Sequence, residues 1–183
     1  MTLAGLIALI TGTLGVWLTI KQNIFCWPVS LIAVLVSILE FFNERLYGDM
    51  ALQVFYFFAG VYGWIFWKKN SGKTFIVTHA GLNTILILIV LTIAQVFVYY
   101  NLLRYFRGDR PFFDAILTAG SLSATYMMTR KWIENWMAWV LIDGAYVALF
   151  ALKSMWLFAL LYLFFTVMAF YGWMSWRKTA SSK

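Results

Sequence analysis

Two stretches of this chain, Lys21 to Lys69 and Arg130 to Lys178, align without a gap at one fixed offset of 109 residues. The matches include Ile24/Ile133, Trp27/Trp136, Phe41/Phe150, Leu52/Leu161 and Phe55/Phe164. Both stretches close on one pattern, Tyr62-Gly63-Trp64-x-x-Trp67-Lys68-Lys69 against Tyr171-Gly172-Trp173-x-x-Trp176-Arg177-Lys178. An apolar, Trp-rich composition scatters chance matches; it does not end two segments on the same motif in phase with the hydropathy. The chain therefore carries an internal duplication, and its fold must be built from a unit used twice.

Composition places that unit in a bilayer. Hydrophobic residues make up 63% of the chain and charged residues 11%, against about 25% charged in soluble domains. Runs near or above the roughly 17 residues that cross hydrocarbon occur at Leu3–Ile20, Pro28–Phe42, Met50–Trp67, Ala80–Leu102, Phe112–Met128, Trp136–Leu152 and Met155–Trp176. The expectation is an all-α integral membrane protein with seven transmembrane helices and no soluble enzyme module. The first run lacks a basic leader and a small-residue cleavage site, so it reads as a retained helix and not a signal peptide.

Each copy of the duplication holds three spans. An odd number reverses direction, so two copies joined directly would be inverted, and one extra span between them restores a parallel relation. The run Ala80–Leu102 has no counterpart and supplies that span. The reading is a 3+1+3 chain: a first three-helix bundle over residues 1–79, a linker helix over 80–102, and a second bundle over 103–183. Parallel repeats of this kind belong to the SWEET type and commonly place the solute between the repeats.

Lys and Arg mark the sides. Lys21, Lys68, Lys69, Lys73, Arg130, Lys131, Arg177, Lys178 and Lys183 fall on one side, and Arg45, Arg104, Arg107, Arg110 and Lys153 on the other. The excess puts the C-terminus in the cytoplasm and the N-terminus outside. The net charge of +7 sits at span ends, where it meets lipid headgroups, so no nucleic-acid partner is expected. The single Cys26 and the single His79 argue against a disulfide, a metal centre or a metal cofactor, and His79 reads as a solvated loop residue.

Polar chemistry is confined to a few helical stripes. Trp132, Trp136, Trp139, Asp143 and Tyr146 recur at steps of three and four and share one face. A carboxylate at membrane depth costs about 2.5 to 3.5 kcal/mol on insertion scales, so Asp143 should face a partner or a wet cavity. Asp49, Gln53, Tyr56, Gly60 and Gly63 form a stripe on the third span, where the repeat sets Tyr162 opposite Gln53. The fifth span offers Asp114, Thr118, Ser121 and Thr125, with Tyr126 beside them. Aromatic faces and a carboxylate suit a flat cationic solute that carries hydrogen-bonding groups. Gly63 and Gly172 read as close-packing points between helices. The first copy has Ser30 and Val34 where the second has Trp139 and Asp143, so the expected site is asymmetric and lined mainly by the second bundle. No span interior holds a Lys or Arg to meet a phosphate.

The segments Gln22-Asn23-Ile24-Phe25-Cys26-Trp27-Pro28, Leu46-Tyr47-Gly48-Asp49-Met50-Ala51-Leu52-Gln53-Val54-Phe55-Tyr56, Tyr62-Gly63-Trp64 and Thr129-Arg130-Lys131-Trp132-Ile133-Glu134-Asn135-Trp136-x-x-Trp139-x-x-x-Asp143 resemble the Pnu family of vitamin transporters over nearly the whole chain. The resemblance implies a SWEET-like homotrimer in a bacterial inner membrane. It implies facilitated diffusion of nicotinamide riboside, thiamine or riboflavin, with trapping by a cytoplasmic vitamin kinase. It carries Trp139 and Asp143 over as binding residues, with Trp136 in the same motif; Trp132, Gln53, Tyr126 and Tyr162 join them from the stripes. Nicotinamide riboside is the expected solute and thiamine the alternative, since both are cations. A proton-coupled symporter using Asp143, Glu40 or Asp114 is the second alternative. An enzyme is disfavoured, because no nucleophile–base spacing or ATP motif is present.

Overall fold

The computed structural model describes residues 3–45, 47–71, 75–105 and 110–181, except for the side chains of 47–49, 51 and 181. Leu46, Lys73, Arg107 and Lys183, and the Asp49 end of the third-span stripe, lie outside the described residues. Within them stand seven α-helices: α1 Leu3–Ile20, α2 Cys26–Asn43, α3 Tyr47–Asn70, α4 Leu82–Tyr105, α5 Pro111–Thr129, α6 Glu134–Leu152 and α7 Trp156–Ser181. The seven apolar runs foretell all seven, with α7 reaching past Trp176 and α2 beginning before Pro28. Pro28 sits in the first turn of α2, where its missing N–H breaks no helical bond. Helices α1, α2, α4, α6 and α7 are each long and apolar enough to cross a membrane. No residue of α4 is buried, and Ile87, Val90, Ile93, Phe97 and Val98 on it are at least 60% exposed. A surface of that character belongs in hydrocarbon; the protein is an all-α, multi-pass membrane protein.

Helix ends repeat with the sequence. After α1, Gln22 takes a left-handed φ of 54°, its N–H donates to Thr19 O at 2.8 Å, and Asn23 N–H reaches back to Leu18 O at 2.9 Å. After α5, Lys131 has φ 54°, its N–H donates to Met128 O at 3.1 Å, and Trp132 N–H reaches Met127 O at 3.1 Å. The end of α2 at Arg45 (φ 60°) is matched by the end of α6 at Ser154 (φ 56°). Gln22 and Lys131, like Arg45 and Ser154, are 109 positions apart, the offset of the duplication. These are Schellman-type ends built without glycine. A side chain in that conformation costs about 1–2 kcal/mol, so the neighbouring structure must hold it there.

The chain divides into two compact units, Met1–Ile76 and Val77–Lys183. In the first, α2 packs on both α1 and α3. Ser30 fills the space a side chain at Gly15 would need, Leu31 lies over Gly60, and the Trp27 indole lies over Gly63. Trp27 meets Trp67 edge-on, with ring centroids 5.5 Å apart at 88°. In the second unit α4 packs on α5, α5 on α6, and α6 on α7. Trp136 covers Gly172 so closely that a Cβ there would stand 2.7 Å from the indole, and it meets Trp176 at 5.3 Å and 88°. The Tyr-Gly-Trp-x-x-Trp motif is thus a packing device: the glycine seats an indole from the preceding helix, and the last tryptophan closes on its edge. Without a hydrophobic drive between helices in lipid, such small-residue approaches supply the contact. Helix α5 shows the same economy, with Ala115, Ala119 and Ala124 all at 0% exposure.

Candidate solute site on the second unit

Helix α6 begins at Glu134, because the left-handed Lys131 ends the preceding helix and sends the chain through a turn. Trp132 therefore lies outside α6, and the aromatic stripe expected to begin there begins at Trp136. Trp132 instead pairs with Thr78 in an isolated parallel bridge, meets Tyr126 edge-on at 5.9 Å, and lies under the Arg130 guanidinium at 5.8 Å. Trp132 and Tyr126 are brought together as one small cluster at the α5–α6 turn.

Deeper along α6 the stripe divides. Trp136 is 2% exposed and its ring packs on Gly172 and Trp176, as Trp27 packs on Gly63 and Trp67 in the other unit; the indole N–H of each is buried without a hydrogen bond among the described residues. Trp139 is half-buried and packs with Tyr146 against the Leu117–Ala124–Ile142 cluster joining α5 to α6. Asp143 is 8% exposed, and its carboxylate has no hydrogen-bond partner among the described residues. Buried carboxylates are normally paired or richly hydrogen-bonded, since an unmet charge in a low-dielectric setting is costly. The Tyr162 phenol on α7 interacts electrostatically with Asp143 and is itself without a hydrogen bond among the described residues.

Tyr162 belongs to a stack of rings that joins α6 to α7. Tyr146 lies on Tyr162 at 4.5 Å, Phe150 on Tyr162 at 5.4 Å, and Phe158 on Phe150 at 5.3 Å. Phe150 and Phe158 were not singled out by their sequence positions, although the four-residue steps Tyr146/Phe150 and Phe158/Tyr162 are a usable signal. In the other copy Ser37 stands for Tyr146 and Gln53 for Tyr162, so the stack exists once. Gln53 lies on α3 of the first unit, half-buried and without a hydrogen bond among the described residues. The α6–α7 group offers an unpaired carboxylate, an unpaired phenol and flat aromatic faces. Such a set can accept hydrogen bonds from a hydroxylated solute and hold a cationic ring by charge and quadrupole.

His79 is 71% exposed, yet it is not merely solvated: its Nδ1 lies 2.8 Å from Glu134 Oε1. The expectation of a free loop histidine missed a partner 55 residues away, which no local pattern reveals.

Residues 2–178 match the family described as Nicotinamide mononucleotide transporter. The chain is 28% identical to "Nicotinamide riboside transporter PnuC" of Escherichia coli, over 95% of this chain and 84% of that protein. It is 24% identical to "Riboflavin/roseoflavin transporter RibM" of Streptomyces davaonensis, over 73% of this chain and 65% of that protein. Its fold is similar to the crystal structure of the vitamin B3 transporter PnuC, with a TM-score of 0.80 and 21% identity over 98% of this chain and 82% of that one.

Proposed function

The chain belongs to the nicotinamide mononucleotide transporter family, and on that premise we propose that it is a membrane transporter, not an enzyme, which carries nicotinamide riboside into the cell unphosphorylated. The observation that carries the reading is Asp143, a carboxylate 8% exposed with no hydrogen bond among the described residues, on the helix that carries Trp139 and Tyr146, which stacks on Tyr162. A pyridinium riboside meets it in kind: the cationic ring lies against aromatic faces and balances the carboxylate, and the ribose hydroxyls donate to Asp143 or pair with Tyr162. A desolvated cation–π contact contributes up to about 2 kcal/mol, and a hydrogen bond to a charged group about 1.5–3 kcal/mol.

The family description names the mononucleotide and the relatives the riboside, and the residues favour the riboside. Lys68, Lys69, Arg104 and Lys178 stand in the last turns of their helices, far along the chain from the Asp143 level of α6. A phosphate brought beside that carboxylate would meet repulsion, and α6 itself carries no Lys or Arg to offset it.

Transport is passive in this reading. The chain sits as a homotrimer in a bacterial inner membrane, in a 3+1+3 arrangement with its N-terminus outside, and a cytoplasmic vitamin kinase traps what enters. The motif resemblance and the bias of basic residues toward one set of loops support this part.

Calorimetric titration of the purified protein with nicotinamide riboside, its 5′-phosphate, thiamine and riboflavin tests the assignment. Saturable heat with the riboside and none with the phosphate is the expected result. Binding of the mononucleotide in preference to the riboside sinks it, and binding of thiamine alone moves the chain to another solute.

A further inference from the structure

The start of α6 is held by a segment that the site so far described does not use. Thr78 bonds on both sides: its N–H donates to Lys131 O at 3.2 Å, and its carbonyl accepts from Ile133 N–H at 3.0 Å. One residue on, His79 Nδ1–H donates to Glu134 Oε1 at 2.8 Å, and Ala80 N–H donates to Glu134 Oε2 at 3.1 Å. Both oxygens of Glu134 are therefore committed, at the first residue of α6. Val77 and Ala80 on either side are buried, at 2% and 7% exposure.

The geometry makes a closed circuit of contacts inside the second unit. Helix α4 begins at Leu82, two residues after Ala80. It is bonded to α5 through the Thr92 and Ser123 hydroxyls at 2.6 Å, and α5 is packed on α6 through Leu117, Ala124 and Ile142. The 78–80 segment then ties α6 back to the start of α4. In the first copy the same left-handed turn occurs at Gln22, but Phe25 stands where Glu134 does and is 64% exposed. No bridge forms at that turn among the described residues. Among the described residues, the tie occurs in the copy that carries Asp143.

We infer that Thr78, His79 and Ala80 form a clip on Glu134 that holds the α5–α6 turn and the first turns of α6 in register, making His79 and Glu134 positioning residues for solute binding at Trp139 and Asp143. The inference rests on the transport reading for its functional half and on hydrogen bonding alone for its structural half. Neither residue is placed to touch the solute; each acts through the orientation of α6.

The test is a set of variants of the full-length protein, Glu134→Ala, Glu134→Gln, His79→Ala and the double alanine variant, measured by amide hydrogen exchange and by titration with nicotinamide riboside. In Glu134→Ala, protection is expected to fall at Ala80 and Ile133 and onward into Asn135 and Trp136, and affinity to drop at least about threefold, the lower end for coupled neighbours. The double variant should bind no worse than Glu134→Ala, because His79 acts through that carboxylate. Glu134→Gln, which keeps one acceptor oxygen, should recover most of both readouts. Unchanged protection at Ala80 in Glu134→Ala overturns the clip, and lost protection with wild-type affinity overturns its positioning role. A wild-type protein that binds no riboside overturns the transport reading instead, and the exchange result then decides the clip by itself.

Discussion

At the residue scale, the site and the packing place opposite demands on one helix face. Asp143 is 8% exposed, so its charged form carries a desolvation cost. Asp143→Asn, which removes the charge from that setting, should raise the unfolding temperature of the solute-free protein in detergent. The same change should weaken riboside binding by about tenfold or more, the loss of a charge-assisted hydrogen bond. A variant that is less stable and binds as before would mean that Asp143 serves the fold. Trp136 and Trp139 should separate in the other direction. Trp136→Ala opens a cavity over Gly172 and should destabilise by about 3–5 kcal/mol, as should its counterpart Trp27→Ala, whereas Trp139→Ala should cost binding more than stability. Thermal melts with and without solute distinguish the two. Helical spacing in the sequence puts Asp143 and Trp139 on one face, and both lie on α6. It does not separate Trp136 from them, since the ring that occupies Trp136 lies on another helix, 40 residues on at Trp176. Trp132 was misplaced on the stripe for a local reason: Lys131 turns left-handed without the Gly or Asn that would announce the turn.

At the element scale, the duplication is most exactly preserved where helices end and where they touch. Ser154 takes a conformation that suits glycine, in an exposed turn, so Ser154→Gly should stabilise the protein by about 0.5–1 kcal/mol, and Ser154→Val should destabilise it. Both are read as shifts in unfolding temperature. Gly63 and Gly172 each lie under an indole, so Gly63→Ala and Gly172→Ala should each cost about 1–3 kcal/mol by overpacking. Gly12→Ala is the control, since the nearest atom to an added Cβ there is Ala33 Cβ at 3.9 Å; it should be neutral or gain from helix propensity. Equal losses at Gly63 and Gly172 would show that the motif packs alike in both copies, and no loss at either would remove its packing role. Helix existence was legible throughout because each span is a long apolar run. The left-handed ends and the His79–Glu134 clip were not, because non-glycine turns and long-range hydrogen bonds leave no periodic trace.

At the scale of the whole molecule, one unit is used twice and differentiated once. The copies share turns, indole seats and terminal basic residues, which fit a chain to a bilayer, while among the described residues Asp143, the Tyr146–Tyr162 stack and the bonds to Glu134 belong to the second. Duplication thus supplies the frame, and the copies diverge at Ser30/Trp139 and Val34/Asp143, where the proposed solute site lies. The same asymmetry bears on energy coupling. A symporter needs a protonatable group that exchanges protons with solvent on both sides and whose charge controls the solute's access. A passive carrier needs only a site that favours the solute. Asp143 as a fixed counter-charge to a permanently cationic ring serves the second scheme, since neutralising it would remove the attraction that the cycle depends on. In vesicles loaded with ATP and the vitamin kinase, riboside uptake should therefore persist undiminished when an uncoupler collapses the proton gradient, and should fall to simple equilibration when the kinase is omitted. Uptake that collapses with the gradient while ATP is held constant would make the protein a symporter, with Asp143, Glu40 or Asp114 as the proton carrier.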